Sequence, residues 1–137
     1  MRFVLPAAVL AVVVLLGGPA SAAVCLAKSM TLDEIVEAIN ASPGCERAMK
    51  VFQDCAFDAS GDVQLGEAVE KKCEGDFLGG LNAPQKRAYQ REMGVCDRKY
   101  RNESGTMYRS FTAFCRAEVA QRYSQRALKA ASPSKAR

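Results

Sequence analysis

An all-α domain, a small disulfide-stapled bundle of about five helices, is the fold class this sequence predicts. Three observations carry that expectation. Apolar residues recur at spacings of three and four and nowhere alternate strictly, which is the period of a helix rather than a strand. Six cysteines occur in a chain without histidine, so pairing accounts for them better than catalysis or metal binding. Residues 1–22 read as a signal peptide, which directs those cysteines to a compartment where disulfides persist.

Arg2 gives the leader its positive start, Phe3 to Leu16 is apolar, Gly17-Gly18-Pro19 breaks it, and Ala20-Ser21-Ala22 is a small-residue cleavage site. The uncharged run from Phe3 to Val24 has the length of a membrane span, but the Gly-Gly-Pro break favours cleavage over anchoring. Val24 is too large for the position before a lipid-modified cysteine, which leaves Cys25 for a disulfide. The expectation is a periplasmic or secreted protein of about 115 residues without a transmembrane helix. One domain would span 23–131, followed by a disordered polar tail over 132–137.

The helices are read in order from their start and stop signals. Thr31-Leu32-Asp33-Glu34 is a capping box, and Leu32, Ile35, Val36 and Ile39 form one face of a helix ending near Ala41. Ser42-Pro43 reads as a cap followed by proline at the first helical position; Cys45, Ala48, Met49, Phe52 and Cys55 then stripe a second helix over 43–56. A turn at residues 58–62 precedes a third helix marked by Leu65, Ala68, Val69, Cys73 and Phe77 and stopped by Gly79-Gly80. Gly66 and Gly75 each weaken it by about 1 kcal/mol relative to alanine. Asn82 to Gln85 is another start signal, and Tyr89, Met93, Cys96 and Tyr100 form the clearest amphipathic stripe. After a turn at 102–105, Met107, Phe111, Phe114, Cys115, Val119 and Tyr123 mark the last helix, which is expected to fray after Leu128.

Six cysteines allow fifteen connectivities. The intervals from Cys25 to Cys45, Cys55 to Cys73 and Cys96 to Cys115 are 20, 18 and 19 residues, and this near-equality predicts three bridges in series. Cys96 and Cys115 also lie at nearly equal distances from the turn near Ser104, so they face each other on an antiparallel helix pair.

Several chemistries find no footing. Without histidine there is no Ser-His-Asp or Cys-His triad, and without a Cys-x-x-Cys pair a zinc site lacks its usual spacing. Residues 58–65 place oxygens at the first, third and fifth positions of a calcium loop. Val63 replaces the glycine of its sixth position, however, and Val69 stands at the twelfth, with Glu70 one place late. An Asx-type turn capping the third helix is the better account. Nothing selects a glycosidase carboxylate pair from the 15 acidic residues. No catalytic residue, metal or cofactor is expected.

Charge is divided along the chain. Residues 23–82 carry 5 basic and 11 acidic side chains, and residues 83–137 carry 13 basic and 4 acidic. The halves can attract each other within the fold, or present an acidic side to a basic partner and a basic side to an anionic one. Arg87, Arg91, Arg98, Arg101, Arg109, Arg116, Arg122 and Arg126, interleaved with tyrosines, have a composition found in nucleic-acid binders, but export argues against that partner and solvated helix faces account for them.

From Cys55 to Leu128 the chain resembles the lysozyme-inhibitor LprI-type N-terminal domain family. Cys55 and Cys73 look like its early cysteine pair; Leu81 and Gln85 open the later helix; Cys96 follows Gln85 by eleven residues; Gly105-Thr106 turns; and Cys115 closes the second bridge. Ala88-Tyr89 stands where the family commonly has tryptophan, and Cys25 with Cys45 is an additional N-terminal element. The resemblance implies an exported helical domain and, for some relatives, inhibition of lysozyme. Animal-type lysozymes are commonly cationic, so the expected contacts are the acidic residues Asp58, Asp62, Glu67, Glu70 and Glu74. The alternative is an envelope-associated structural protein whose basic C-terminal half contacts anionic wall polymer or lipid.

Overall fold

The computed structural model describes residues 24–27, 29 and 31–133; the signal peptide assigned to 1–22 and the last four residues of the tail lie outside them. Five helices follow in order, α1 (Leu32–Ala41), α2 (Cys45–Cys55), α3 (Asp62–Glu74), α4 (Ala83–Lys99) and α5 (Thr106–Ala131), with a 3-10 turn at Leu78–Gly80 and no strand among the described residues.

The start signals act largely as read. Thr31 accepts the Glu34 N–H at 3.4 Å, but the Glu34 carboxylate turns back to the N–H and hydroxyl of Ser29 rather than to Thr31. Asn82 and Gln85 form a complete reciprocal box at the head of α4, with arms of 2.9 and 3.0 Å. Ser42 differs from the expectation. It ends α1, its hydroxyl donating to the Ala38 carbonyl at 2.9 Å, because Pro43 disfavours helical backbone in the residue before it; α2 then starts two residues later, from Gly44. α3 stops at Gly75 rather than at Gly79-Gly80, and α5 runs to Ala131, past Leu128.

Helix α3 is central, touching α1, α2 and α5, while α4 leans on α5. Two apolar clusters result. The larger joins Ile35 and Ile39 of α1, Met49 and Phe52 of α2, Leu65 and Val69 of α3, and Ala113, Ala117 and Ala120 of α5. The smaller gathers Phe77, Tyr89, Met93, Cys96 and Val119, with the rings of Phe77, Tyr89 and Tyr123 5.1, 5.3 and 4.9 Å apart.

The large-residue stripe read from the sequence for α5 holds in part. Val119 is buried, Phe114 stacks on Phe52 at 4.1 Å, and Cys115 and Tyr123 pack against the smaller cluster, but the face that meets α3 is made of small residues. Ser110, Ala113, Ala117, Ala120 and Ser124, at steps of three and four, meet the bundle, whereas Met107 and Phe111 are 47 % and 39 % exposed. Small residues let α5 approach α3 closely. At Gly66 an added Cβ would lie 3.0 Å from the Ala113 Cβ and 3.1 Å from its carbonyl oxygen. This glycine is a contact requirement rather than a weak point of the helix.

All six cysteines are paired, which is the redox state of an oxidising environment. The pairing corrects the serial scheme. Cys25 bonds Cys55 and Cys45 bonds Cys73, with Cα–Cα distances of 4.8 and 4.5 Å, while Cys96 bonds Cys115 as expected. In the α2–α3 hairpin Cys55 stands at the turn, and Cys73 lies about 16 Å further along α3 at 1.5 Å per residue. Cys45, at the far end of α2, is the residue at the height of Cys73. Cys55 is left to the segment that precedes α1.

Candidate functional site

α3 and α4 both lie against α5, and a groove runs between them. One cavity of about 790 Å³ is lined by Val63, Glu67 and Glu70 of α3, Asp97, Tyr100 and Arg101 at the end of α4, and Tyr108, Arg109, Thr112 and Arg116 of α5. A second, of about 470 Å³, adjoins Glu74, Lys86, Tyr89 and Met93. Asp97 and Arg116 border both.

Arg116 rises from α5 and spans the groove. Its Nε and Nη2 donate to the two Glu70 oxygens at 2.9 and 3.0 Å, and its Nη1 donates to both Asp97 oxygens at 2.9 Å. Two-point pairing of this kind suits the planar guanidinium. The hydrogen bonds it donates to Glu70, then the charge of Glu70 and the hydrogen bonds and charge of Asp97, outweigh burial and hold Arg116 above its ordinary range. Burial pushes the Glu70 carboxyl up, and the Arg116 hydrogen bond and charge offset this only in part. Further along, Tyr89 donates to Glu74 at 2.9 Å; burial, then that bond, raise its phenol well above the usual value.

The five acidic residues singled out in the sequence do not form one surface. Glu67, Glu70 and Glu74, at steps of three and four, share the groove wall of α3. Glu67 is exposed, Glu74 is half-buried, and Glu70 is buried against Arg116. Asp62 is fully buried: one oxygen accepts the Phe57 N–H at 2.8 Å and the other the Ser110 hydroxyl at 2.6 Å. Both of its oxygens are therefore committed to the fold, so it offers no surface to a partner. Asp58 is exposed in the preceding turn, with φ of 54°, and is not among the groove residues.

Arg116 escaped the sequence reading, which grouped it with seven other arginines. A signal was present. The Cys96–Cys115 bridge brings together the residues that follow each cysteine, and those are Asp97 and Arg116, of opposite charge.

The groove's chemistry is that of ion pairing and aromatic contact. Glu70 and Asp97 already hold a guanidinium, Glu74 holds a phenol, and Glu67 and Glu103 make no ion pair with another described residue. No match to the chain was found among protein-family models, curated proteins or solved structures.

Proposed function

We propose that the chain is an exported, non-enzymatic binding protein that inhibits a cationic lysozyme, engaging it along the acidic wall of α3. The observation that carries the reading is the position of Glu67 and Glu74 on either side of the Glu70–Arg116 pair. The middle of the wall accepts a guanidinium supplied by α5, and the groups offered to basic side chains of a partner are the exposed Glu67 and the Glu74 oxygen that does not hold Tyr89. The resemblance to LprI-type domains supports lysozyme as the partner class through its later half, where Cys96 bonds Cys115, but not through its early pair, since Cys55 bonds Cys25 and Cys73 bonds Cys45. The disulfides support export, and a chain with neither histidine nor free thiol fits binding better than turnover.

The test is lysis of a cell-wall substrate by an animal-type lysozyme in the presence of the oxidised protein. Micromolar protein should slow clearing, and Glu67→Lys combined with Glu74→Gln should relieve that inhibition while the melting temperature stays within a few degrees. Asp62 and Glu70 are unsuitable for reversal, since their loss would perturb the bundle. Raising salt should weaken inhibition, because exposed charges are screened over about 8 Å at physiological ionic strength. Undiminished lysis by every lysozyme tried would refute the reading.

A further inference from the structure

The groove opens at the tip of the α4–α5 hairpin, where Tyr100, Arg101, Tyr108 and Arg109 line it opposite the α3 wall. Tyr100, Tyr108 and Phe111 form an aromatic trio with ring centroids 5.6 to 5.9 Å apart. Met107 and Phe111 stand one turn apart on α5 and are 47 % and 39 % exposed, so they contribute little to either buried cluster. Beside them Lys99, Arg101 and Arg109 are exposed and unpaired with any other described residue. The Lys99 ammonium sits 5.1 Å from the centre of the Tyr100 ring. On the opposing side, Glu103 lies in the turn and Glu67 in the adjoining groove, while Asp97 is neutralised by Arg116.

We propose that this tip docks on an anionic lipid bilayer. Three cations beside exposed apolar and aromatic side chains match the two layers such a surface offers. The cations suit its headgroup charge, the tyrosines suit the interface where amphipathic rings settle, and Met107 and Phe111 suit the acyl boundary beneath. A soluble polyanion would use the cations and leave the apolar pair in water. The proposal does not depend on the lysozyme reading, which concerns the α3 wall.

Flotation of the full disulfide-bonded chain with phosphatidylcholine vesicles, with and without phosphatidylglycerol, tests it. Binding should require phosphatidylglycerol and fall with salt, and Lys99→Gln or Arg101→Gln should each lower partitioning roughly fivefold. Met107→Ser with Phe111→Ser should abolish flotation at an unchanged melting temperature; if the double variant melts early, Met107→Ser alone carries this arm, with a partial loss expected. Failure to float with anionic vesicles, equal binding to neutral ones, or full binding after loss of the apolar side chains would each overturn the proposal, the last in favour of a soluble anionic polymer.

Discussion

Replacing Gly66 by alanine sets two principles against each other. Helix propensity alone favours alanine inside α3 by about 1 kcal/mol. The contact with α5 opposes it, because the new Cβ would lie 3.0, 3.1 and 3.3 Å from the Cβ, carbonyl oxygen and Cα of Ala113. None of those atoms can rotate away, so the helices must separate, and overpacking of this kind costs about 1–3 kcal/mol. The expected balance is a loss of up to about 2 kcal/mol, or up to about 10 °C in Tm for a domain of this size. Gly94→Ala is the control: its Cβ would meet only the end of the Arg98 side chain, at 3.0 Å, which can swing aside, so propensity should prevail and Tm should rise. The assay is thermal and urea unfolding of both variants with the disulfides intact. Gly66→Ala stabilised to the same extent as Gly94→Ala would refute the argument that backbone approach sets the α3–α5 spacing.

Non-reducing peptide mapping should recover Cys25 with Cys55, Cys45 with Cys73, and Cys96 with Cys115, and no serial Cys55–Cys73 peptide. Replacing both Cys96 and Cys115 by alanine should cost about 3 kcal/mol on the chain-entropy estimate, read as a lower denaturant midpoint. Because the Tyr89 phenol is raised in the fold, its contribution to stability is complete below about pH 10 and is lost as pH rises through the folded value; Tyr89→Phe should flatten the alkaline limb of the stability profile. The Glu70 carboxyl is also raised, so its contribution is complete below the ordinary carboxylate range and declines above it. Glu70→Gln should therefore gain on the wild type as pH rises from about 4 to 7, and a variant that loses ground over that range would show that pairing with Arg116 outweighs burial.

The starts of α1 and α4 were legible because their signals are local, whereas Ser42-Pro43, read as the start of α2, ends α1. Thr31, Asn82 and Gln85 each satisfy backbone groups within four residues, and no tertiary contact is needed to infer them. The disulfides were legible only where the hairpin argument was applied. The midpoint of Cys96 and Cys115 falls at the Gly105 turn, and that of Cys45 and Cys73 falls in the turn between α2 and α3; the midpoint of Cys55 and Cys73 falls inside α3. Equal intervals carry no such geometry, which is why the serial scheme failed for two of three bridges. The part of α5 that meets α3 was obscured for another reason. Large apolar residues usually mark a buried stripe, but α5 meets α3 at close range, where small side chains are the ones that fit.

That close range also decides which acidic residues remain available to a partner. α5 sends Ser110 to Asp62 at 2.6 Å, Arg116 to Glu70, and Ser124 to Asp76 at 2.5 Å, near the start, middle and end of α3. Gln121 and Gln125 both donate to Glu46 on α2. Among the described residues only Arg116–Glu70 joins the acidic and basic halves by opposite charge; Asp62, Asp76 and Glu46 are taken up by neutral hydroxyl and amide donors, which composition could not reveal. What is left on the surface of the acidic half includes Asp33 and Glu37 on α1, Asp58 in the turn and Glu67 on α3. Of these only Glu67 lines the groove, so an acidic-surface interaction should be more sensitive to Glu67→Lys than to Asp33→Lys, even though both remove one exposed carboxylate. Equal sensitivity would mean that a partner senses net charge over the whole face, and that the groove takes no part.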